Sequence, residues 1–271
     1  MKFAVIMTCH NREGMTIECL RGLYECKLHR GKTFDVWLND DGCTDGTAAK
    51  VSLLFPSVNV IMGSGHDYWC GGMRRAWGAA SKYFDYDGYV WLNDDTFLNE
   101  DAFQVMFEDA DRYERGIVVG SIVGHDGKTA TYGGEDENGF IVPDGTWRRL
   151  RQMNGNAVWI PRSAFRRLGN FEPYLTHALG DCDYSRSAVR AGIPVWLTPR
   201  CIGLCDRHPT ADAWKRSDVP LLKRIRSLYS PLGGCEPLVL FRYCLKHDGI
   251  IVALKLFVGN HLRVFFPRRW Q

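Results

Sequence analysis

The sequence predicts an α/β protein with a mostly parallel sheet flanked by helices on both faces. Over the first two hundred residues, short apolar runs rich in β-branched and aromatic residues alternate with longer mixed stretches, and this βαβαβ order favours a parallel sheet. The runs are apolar throughout instead of alternating with polar residues, as expected of strands buried on both faces. They lie at residues 3–7, 36–38, 58–62, 89–92 and 117–119.

The stretches between these strands favour helices, which we expect at residues 14–28, 44–54, 71–84 and 99–113. Asn99 opens the last of these as a capping residue, and Glu100 and Asp101 place acids in its first turn. Six glycines and Pro143 interrupt residues 124–146, which predicts a long loop or an irregular hairpin. Beyond it we expect a strand at 157–160, a helix over about 182–191 and a strand at 195–197.

The composition is that of an ordinary globular protein. Of the 271 residues, 45% are hydrophobic, 24% charged and 13% aromatic, and these values exclude a disordered or fibrous chain. The net charge of +3 is unevenly distributed, because residues 221–271 contain nine Lys and Arg residues against two Asp and Glu residues. We therefore predict one domain over residues 1–220, with halves at 1–123 and 124–220, and a basic, aromatic, helical extension over residues 221–271.

Cysteine usage indicates a reducing compartment. The ten cysteines are scattered, and the apolar start Met1–Met7 is too short for a secretory signal and lacks a cleavage site. No stretch approaches about 18 uninterrupted apolar residues, the length that spans a bilayer. We therefore expect a cytoplasmic protein with free thiols.

Two of the predicted strands end in acidic pairs. Asp40 and Asp41 follow the strand at 36–38, and Asp94 and Asp95 follow the strand at 89–92. Because ligands of open parallel sheets bind outside the carboxyl ends of the strands, we expect both pairs to face one crevice. Crowded carboxylates repel each other unless a cation joins them, and a hard divalent cation shared with phosphate oxygens fits this need. The alternative is ordinary turn formation, for which Asp-Gly and Asn-Asp are suited.

A third acidic cluster, Gly180–Tyr184, lies at the start of the predicted helix at 182–191. Its first carboxylate, Asp181, is a candidate general base if it reaches an acceptor hydroxyl. The alternative is helix capping, since Asp is a favoured N-cap residue. The residue pattern alone leaves both interpretations open.

Six segments resemble motifs of the family 2 glycosyltransferases, which have the A-type glycosyltransferase fold. The likeness covers about residues 3–208 and follows the order of the family. The segments are Val5–Arg12, Asp40–Thr47, Tyr68–Arg74, Leu92–Thr96, Gly155–Ala157 with Gly169–Phe171, and Asp181–Tyr184 with Arg186 and Gly192. The third and the last segments are similar to those of members that build bacterial surface polysaccharides, including rhamnosyltransferase-like ones.

The resemblance implies an inverting transfer of a sugar from a UDP- or dTDP-linked donor to a hydroxyl of a saccharide or lipid-linked acceptor. Residues 1–123 then form the nucleotide-sugar half of a catalytic domain, and residues 124–220 form the acceptor half. Asp181 is the implied general base, Asp95 binds Mg²⁺ or Mn²⁺, and His208 is either a further metal ligand or a structural residue. The implied nucleotide-binding residues are Thr8, His10, Arg12, Asp40, Asp41, Gly72, Arg74 and Asp94.

The sequence departs from the family pattern at two positions. Gly180 stands where many members have Glu before the base, and Cys43 replaces the Ser of the acidic motif. The alternative function is a non-catalytic nucleotide- or sugar-binding module, which would keep Asp40 and Asp95 without needing Asp181. A nicotinamide-dependent oxidoreductase is not favoured, because Gly-x-Gly-x-x-Gly does not follow the first strand.

The C-terminal extension predicts contact with a membrane. Ile250, Ile251, Leu254 and Val258 fall at helical spacing among Lys and Arg residues, and large aromatic rings follow them. A basic amphipathic segment of this kind suits the plane of an anionic bilayer. The alternative is a helix packed on the body. We expect a peripheral protein at the inner face of the cell membrane and no nucleic-acid partner, since the basic residues accompany an apolar stripe.

Overall fold

The computed structural model describes residues 1–207, 213–234 and 236–270, without the side chain of Trp270. Within these residues the strands are β1 (Lys2–Cys9), β2 (Thr33–Asp40), β3 (Val58–Met62), β4 (Gly88–Leu92), β5 (Phe97–Leu98), β6 (Ile117–Val123), β7 (Ala130–Tyr132), β8 (Gly134–Asp136), β9 (Gly139–Phe140), β10 (Arg148–Arg149), β11 (Gln152–Met153), β12 (Ala157–Pro161) and β13 (Val195–Leu204). A ten-stranded sheet crosses the molecule in the order β10, β13, β6, β12, β4, β1, β2, β3, with β5 paired to β13 and β7 to β6.

The predicted parallel arrangement is confirmed around β1. This strand pairs in parallel with β2 and β4, and β2 continues the parallel order to β3. On the other side of β4, β12 lies antiparallel between β4 and β6, so the sheet is mixed toward that edge. The register of β1 and β2 sets Cys9 beside Asp40. The carboxyl ends of these two strands therefore open at the same edge of the sheet.

Helices cover both faces of the sheet, as the continuously apolar strands predict. In the described part of the chain they are α1 (Glu13–Glu25), α2 (Thr47–Leu54), α3 (Tyr68–Tyr83), α4 (Ala102–Met106), α5 (Ala110–Arg115), α6 (Arg162–Leu168), α7 (Gly180–Arg190), α8 (Leu221–Leu228), α9 (Pro237–His247) and α10 (Ile250–Phe265). Ala4 and Ile6 of β1 join a core with residues of α3 and α7, whereas Phe3 and Val5 join a second core with α1 and α4. Because strand side chains alternate between faces, this division shows that both faces are buried.

Two segments differ in detail from the sequence prediction. The helix expected at 99–113 is two short helices, because Asp109 takes an extended backbone and its side chain accepts the Arg112 N–H as a new N-cap. Residues 124–146, predicted as a long loop or an irregular hairpin, contain β7, which extends the large sheet. They also contain β8 and β9, an antiparallel hairpin that agrees with the second alternative and forms a small sheet with β11. These strands are two or three residues long, too short for a sequence period to show.

The C-terminal extension packs on α7. Tyr243 and Cys244 of α9 and Ala253 of α10 form a small core against Leu179 and Cys182, at the start of α7. Across the residues that the structure describes, no helix has the length and apolar character needed to cross a bilayer. Many large apolar side chains of α8, α9 and α10 nevertheless remain exposed.

Candidate active site

A pocket of about 330 Å³ opens at the carboxyl ends of β1 and β2. Polar residues from the strand ends meet aromatic rings from the start of α3 and one leucine of the C-terminal extension. The lining residues are Thr8, Cys9, His10, Arg12, Asp41, Gly65, Tyr68, Trp69, Asp94, His177 and Leu232. The structure thus brings five of the predicted nucleotide-binding residues to one cavity.

Arg12 bridges the two buried carboxylates that follow β4. Its Nη1 atom lies 2.7 Å from Asp95 Oδ2 and 3.4 Å from Asp94 Oδ1. Thr16 Oγ1 donates a hydrogen bond of 3.2 Å to Asp94 Oδ2. Burial, with a smaller contribution from Asp95, raises the pKa of Asp94 to about 6 against the opposing effect of Arg12. One guanidinium therefore faces two buried carboxylates.

The donor atoms of this cluster fit a hard divalent cation. Asp94 and Asp95 are adjacent and only 6% and 5% exposed, and their carboxylate oxygens are the ligands that Mg²⁺ and Mn²⁺ prefer. Cys205 Sγ lies 3.7 Å from Asp95 Oδ1. Burial, and then Asp95, raise the pKa of Cys205 to about 12. Sulfur is in addition a softer donor than the oxygen ligands that such an ion prefers. His208, the other predicted metal ligand, lies outside the described residues.

Asp40 and Asp41 hold the turns around the pocket. The carboxylate of Asp41 accepts three backbone N–H bonds of 2.8, 3.0 and 2.8 Å, from Gly65, Asp67 and Tyr68. Asp40 Oδ1 accepts the Cys43 N–H at 2.7 Å. Turn formation, the alternative that the sequence left open, accounts for these bonds. Asp41 in addition reaches the pocket wall, whereas Asp40 lies beneath it and is 1% exposed.

Asp181 lies in the first turn of α7, where two backbone amides hold its carboxylate. Gly155 N–H donates to Oδ2 at 3.0 Å, and Cys182 N–H donates to Oδ1 at 2.8 Å. Burial nevertheless raises the pKa of Asp181. Gly155 also abuts Trp69, since a Cβ atom at Gly155 would lie 2.7 Å from the indole ring. The candidate base and the Trp69 wall of the pocket therefore meet at one backbone segment.

Comparison with known proteins identifies the family. A family model described as glycosyl transferase family 2 matches residues 4–177. The chain belongs to this family. The family and the α/β fold predicted from the sequence are thereby confirmed. No curated protein matches the chain.

Two solved structures are similar to this glycosyltransferase in fold. One is S. aureus TarS 1–349 in complex with UDP-GlcNAc, which is 14% identical, with a TM-score of 0.58 over 100% of this chain and 74% of that chain. The other is the mannosyltransferase PcManGT from Pyrobaculum calidifontis in complex with GDP-Man and Mn²⁺, which is 16% identical, with a TM-score of 0.56 over 98% of this chain and 81% of that chain.

Besides Asp40, two residues predicted to bind the nucleotide lie away from the pocket lining of the glycosyltransferase. Gly72, in α3, packs against β1, and a Cβ atom there would lie 2.1 Å from Thr8 Oγ1. Arg74 Nη1 donates to the carbonyl oxygens of Glu172 and Leu175 at 3.1 and 3.0 Å. These contacts give Gly72 a role in close packing and give Arg74 a role in holding the loop before α7.

Backbone strain is concentrated around the pocket of the glycosyltransferase. Among the described residues, the non-glycine residues with a left-handed backbone are Asn11, Tyr68 and Leu179, with φ values of 51°, 54° and 70°. Asn tolerates this conformation, whereas a Tyr or Leu held there costs about 1–3 kcal/mol. Tyr68 lines the pocket, and Leu179 comes two residues before Asp181. Strain of this kind is typical of functional sites, and nothing in the sequence signals it at Tyr68 or Leu179.

The sequence motifs include neither His177 nor Leu232, which also line the pocket. His177 lies in the loop before α7, edge-on to Tyr68 with ring centroids 6.3 Å apart. Burial, and then Arg12, lower the pKa of His177, so its ring is neutral near pH 7. Leu232 belongs to a 3₁₀ turn between α8 and α9. Only the folded chain brings this loop and the C-terminal extension to the pocket.

Asp183, the second acid of the base motif, pairs with the C-terminal extension. Its carboxylate lies 2.9 Å from Lys246 Nζ and 2.8 Å from His247 Nε2 at the end of α9. One turn further along α7, Arg186 pairs with Asp248 at 2.6 Å. Two ion pairs therefore fix the helix that carries the candidate base against α9.

Proposed function

We propose that the protein is an inverting glycosyltransferase that moves a sugar from a UDP- or dTDP-linked donor to a hydroxyl of a saccharide or lipid-linked acceptor. We assign it to the assembly of a cell-surface polysaccharide. The observation that carries the proposal is one cavity lined by strand-end residues, by the Arg12 guanidinium and by Asp94 of the buried carboxylate pair, with Asp181 packed behind its wall. Support for a nucleotide-sugar donor comes from TarS, in complex with UDP-GlcNAc, and from PcManGT, in complex with GDP-Man.

The donor nucleotide is proposed to bind at the ends of β1 and β2. Thr8, His10 and Arg12, at and just after the end of β1, all line the pocket. Asp40, fixed by the Cys43 amide, is proposed to accept the ring N–H of a uracil or thymine base. Because Asp40 is 1% exposed, this contact requires that donor binding uncover its carboxylate. Asp41 shapes this subsite through the turn that it holds.

A divalent ion, Mg²⁺ or Mn²⁺, is proposed at Asp95, with Asp94 beside it and His208 as a further ligand. Such an ion would neutralise the charge that develops on the departing nucleoside diphosphate. Arg12, 2.7 Å from Asp95, adds a second positive charge at the same place. The presence of Mn²⁺ in the PcManGT complex supports this choice of ion.

Asp181 is proposed as the general base that takes the proton of the acceptor hydroxyl as its oxygen attacks the anomeric carbon. Its raised pKa suits this task, because a carboxylate with a higher proton affinity is a stronger base. Inversion needs one displacement on the face opposite the leaving group. A single carboxylate therefore suffices, in contrast to glycoside hydrolases, which use two.

Substitution of Asp181 tests catalysis separately from binding. Release of nucleoside diphosphate from a panel of UDP- and dTDP-sugars with Mn²⁺ should fall by about 100-fold or more in Asp181→Asn, since general bases contribute at least this much. Nucleotide binding, measured by calorimetry, should be unchanged. Asp111→Asn, whose carboxylate on α5 is 87% exposed, is the matched control and should keep full turnover.

Two results would contradict the proposal. Unchanged turnover of Asp181→Asn would remove Asp181 as the base. Donor binding without any turnover by the unaltered protein would instead favour the alternative, a non-catalytic nucleotide- or sugar-binding module.

We also propose peripheral membrane contact through the C-terminal extension. The exposed apolar side chains of α8, α9 and α10 are Leu221, Leu222, Leu238, Leu245, Ile250, Ile251, Val252, Leu254, Leu256, Val258, Leu262 and Phe265. The nine Lys and Arg residues of 221–271 would attract anionic headgroups at the inner face of the membrane. Insertion of the apolar side chains would then remove them from water.

Sedimentation with phosphatidylglycerol vesicles tests this contact. Ile251→Gln should reduce the bound fraction, because each buried aliphatic side chain contributes about 1.5–3 kcal/mol. Leu53→Gln on α2 is the matched control, since Leu53 and Ile251 are both 79% exposed. Equal sedimentation of the two variants would contradict the proposed docking face.

A further inference from the structure

A second group of candidate metal ligands, separate from Asp94 and Asp95, consists of two thiol sulfurs and one carboxylate oxygen beside the pocket. Cys9 ends β1, Asp40 ends β2, and Cys43 lies in the turn that follows β2. The two Sγ atoms are 3.8 Å apart, and the three ligand atoms all lie within 4.8 Å of one another. Strand register and the turn after β2 therefore bring together residues that are 34 positions apart in the chain.

The sulfur separation matches a metal dithiolate better than a disulfide. Zinc binds cysteine sulfur at about 2.3 Å, and a tetrahedral arrangement then places two such sulfurs about 3.8 Å apart. The observed 3.8 Å satisfies this geometry without movement of either strand. A disulfide would require an S–S distance of about 2.0 Å, so both side chains would have to move.

The surrounding charge favours a cation. Asp40 contributes a carboxylate to the cluster itself, and Asp94 lies close enough to Cys9 to interact with it electrostatically. These negative groups attract a divalent ion. A bound ion would displace the two thiol protons to solvent, as coordination by thiolate requires.

We propose that Cys9, Asp40 and Cys43 form a binding site for Zn²⁺ or a similarly soft divalent cation. Three protein ligands leave the fourth tetrahedral position open, in contrast to structural zinc sites, which have four protein ligands. Cys9 lines the pocket, so the site adjoins the cavity. Resting on the proposed function, occupancy withdraws Asp40 from the donor base, and zinc therefore inhibits the enzyme in competition with the donor.

Cobalt binding to the full-length, reduced protein tests the site without reference to activity. We expect one Co²⁺ per chain with thiolate-to-cobalt charge-transfer absorption and the visible bands of a tetrahedral ion, and displacement of Co²⁺ by Zn²⁺. Cys43→Ser, at a half-buried position, should weaken Zn²⁺ binding by about 10-fold or more in a chelator competition. Cys201→Ser is the matched control, because Cys201 is also half-buried but contacts Ser121 instead.

The outcomes separate the metal site from the role of Asp40 in the proposed function. Absence of charge-transfer bands, or equal zinc affinity of Cys43→Ser and the unaltered protein, would overturn the site. Zinc that raises the apparent donor KM of the unaltered protein but not of Cys43→Ser would support both. Cobalt bound with two-thiolate absorption while UDP and dTDP still bind with unchanged affinity would support the site and overturn the role of Asp40.

Discussion

Replacing Gly180 with alanine should destabilise the protein by about 1–2 kcal/mol. A Cβ atom at Gly180 would lie 2.1 Å from Cys70 Sγ and 3.3 Å from Phe171, and both of those side chains are buried. Overpacking of a rigid core costs about 1–3 kcal/mol. The higher helix propensity of alanine offsets less than about 1 kcal/mol of this loss in stability. The same contact explains why this position cannot hold the Glu of many family members without a shift of α3 or α7.

Urea unfolding followed by tryptophan fluorescence measures this change as a lower midpoint at constant slope. Cys70→Ala removes the sulfur, so its combination with Gly180→Ala should recover part of the loss in a double-mutant cycle. Gly14→Ala is the matched control, because a Cβ atom at Gly14 in α1 would meet nothing within 4 Å. A Gly180→Ala protein within about 0.5 kcal/mol of the parent, or a cycle without coupling, would refute the packing argument.

Three further predictions concern charged groups. Burial raises the pKa of Asp181, so as pH falls the base should be protonated at a pH above the ordinary aspartate value. The acid limb of the pH profile of kcat/KM should therefore lie above about pH 4. An acid limb below that value would count against Asp181 as the base. Arg12→Ala should lower the melting temperature by about 2–4 °C, a modest loss because the guanidinium is 41% exposed. Added Mn²⁺ should restore the melting temperature in a thermal-shift assay. A loss that Mn²⁺ leaves unchanged would argue against an ion at this cluster. Lys246→Met should cost about 1–3 kcal/mol in urea unfolding, because Asp183 is buried and loses a charged partner; an unchanged midpoint would show that the pair contributes nothing.

The sequence predicts the parallel part of the sheet well because its signal is local. Buried strands such as β1 and β4 are continuous apolar runs, and the acidic pairs directly follow strands, so the edge of the sheet where they meet follows from chain direction alone. The break between α4 and α5 is less visible, because Asp109 caps the second helix inside a stretch whose composition still favours helix.

The candidate site is only partly predictable, because several of its contacts join distant segments. Arg12 meets Asp95 across 83 positions, a pairing that no local pattern encodes. The carboxylate of Asp41 accepts hydrogen bonds from three backbone amides of a turn, and the sequence does not predict that this turn lies beside Asp41. The left-handed backbone of Tyr68 and Leu179 is imposed by tertiary packing against the preference of both residue types.

Leu232 gives the C-terminal extension a share in the wall of the cavity, and Glu236 accepts a hydrogen bond of 3.0 Å from Thr176 in the loop before α7. Replacing the C-terminal extension with that of a relative would therefore alter the shape of the pocket as well as the outer surface. Chimeric enzymes built on this scaffold should exchange residues 169–192 and 221–271 as one cassette, so that matched partners stay together.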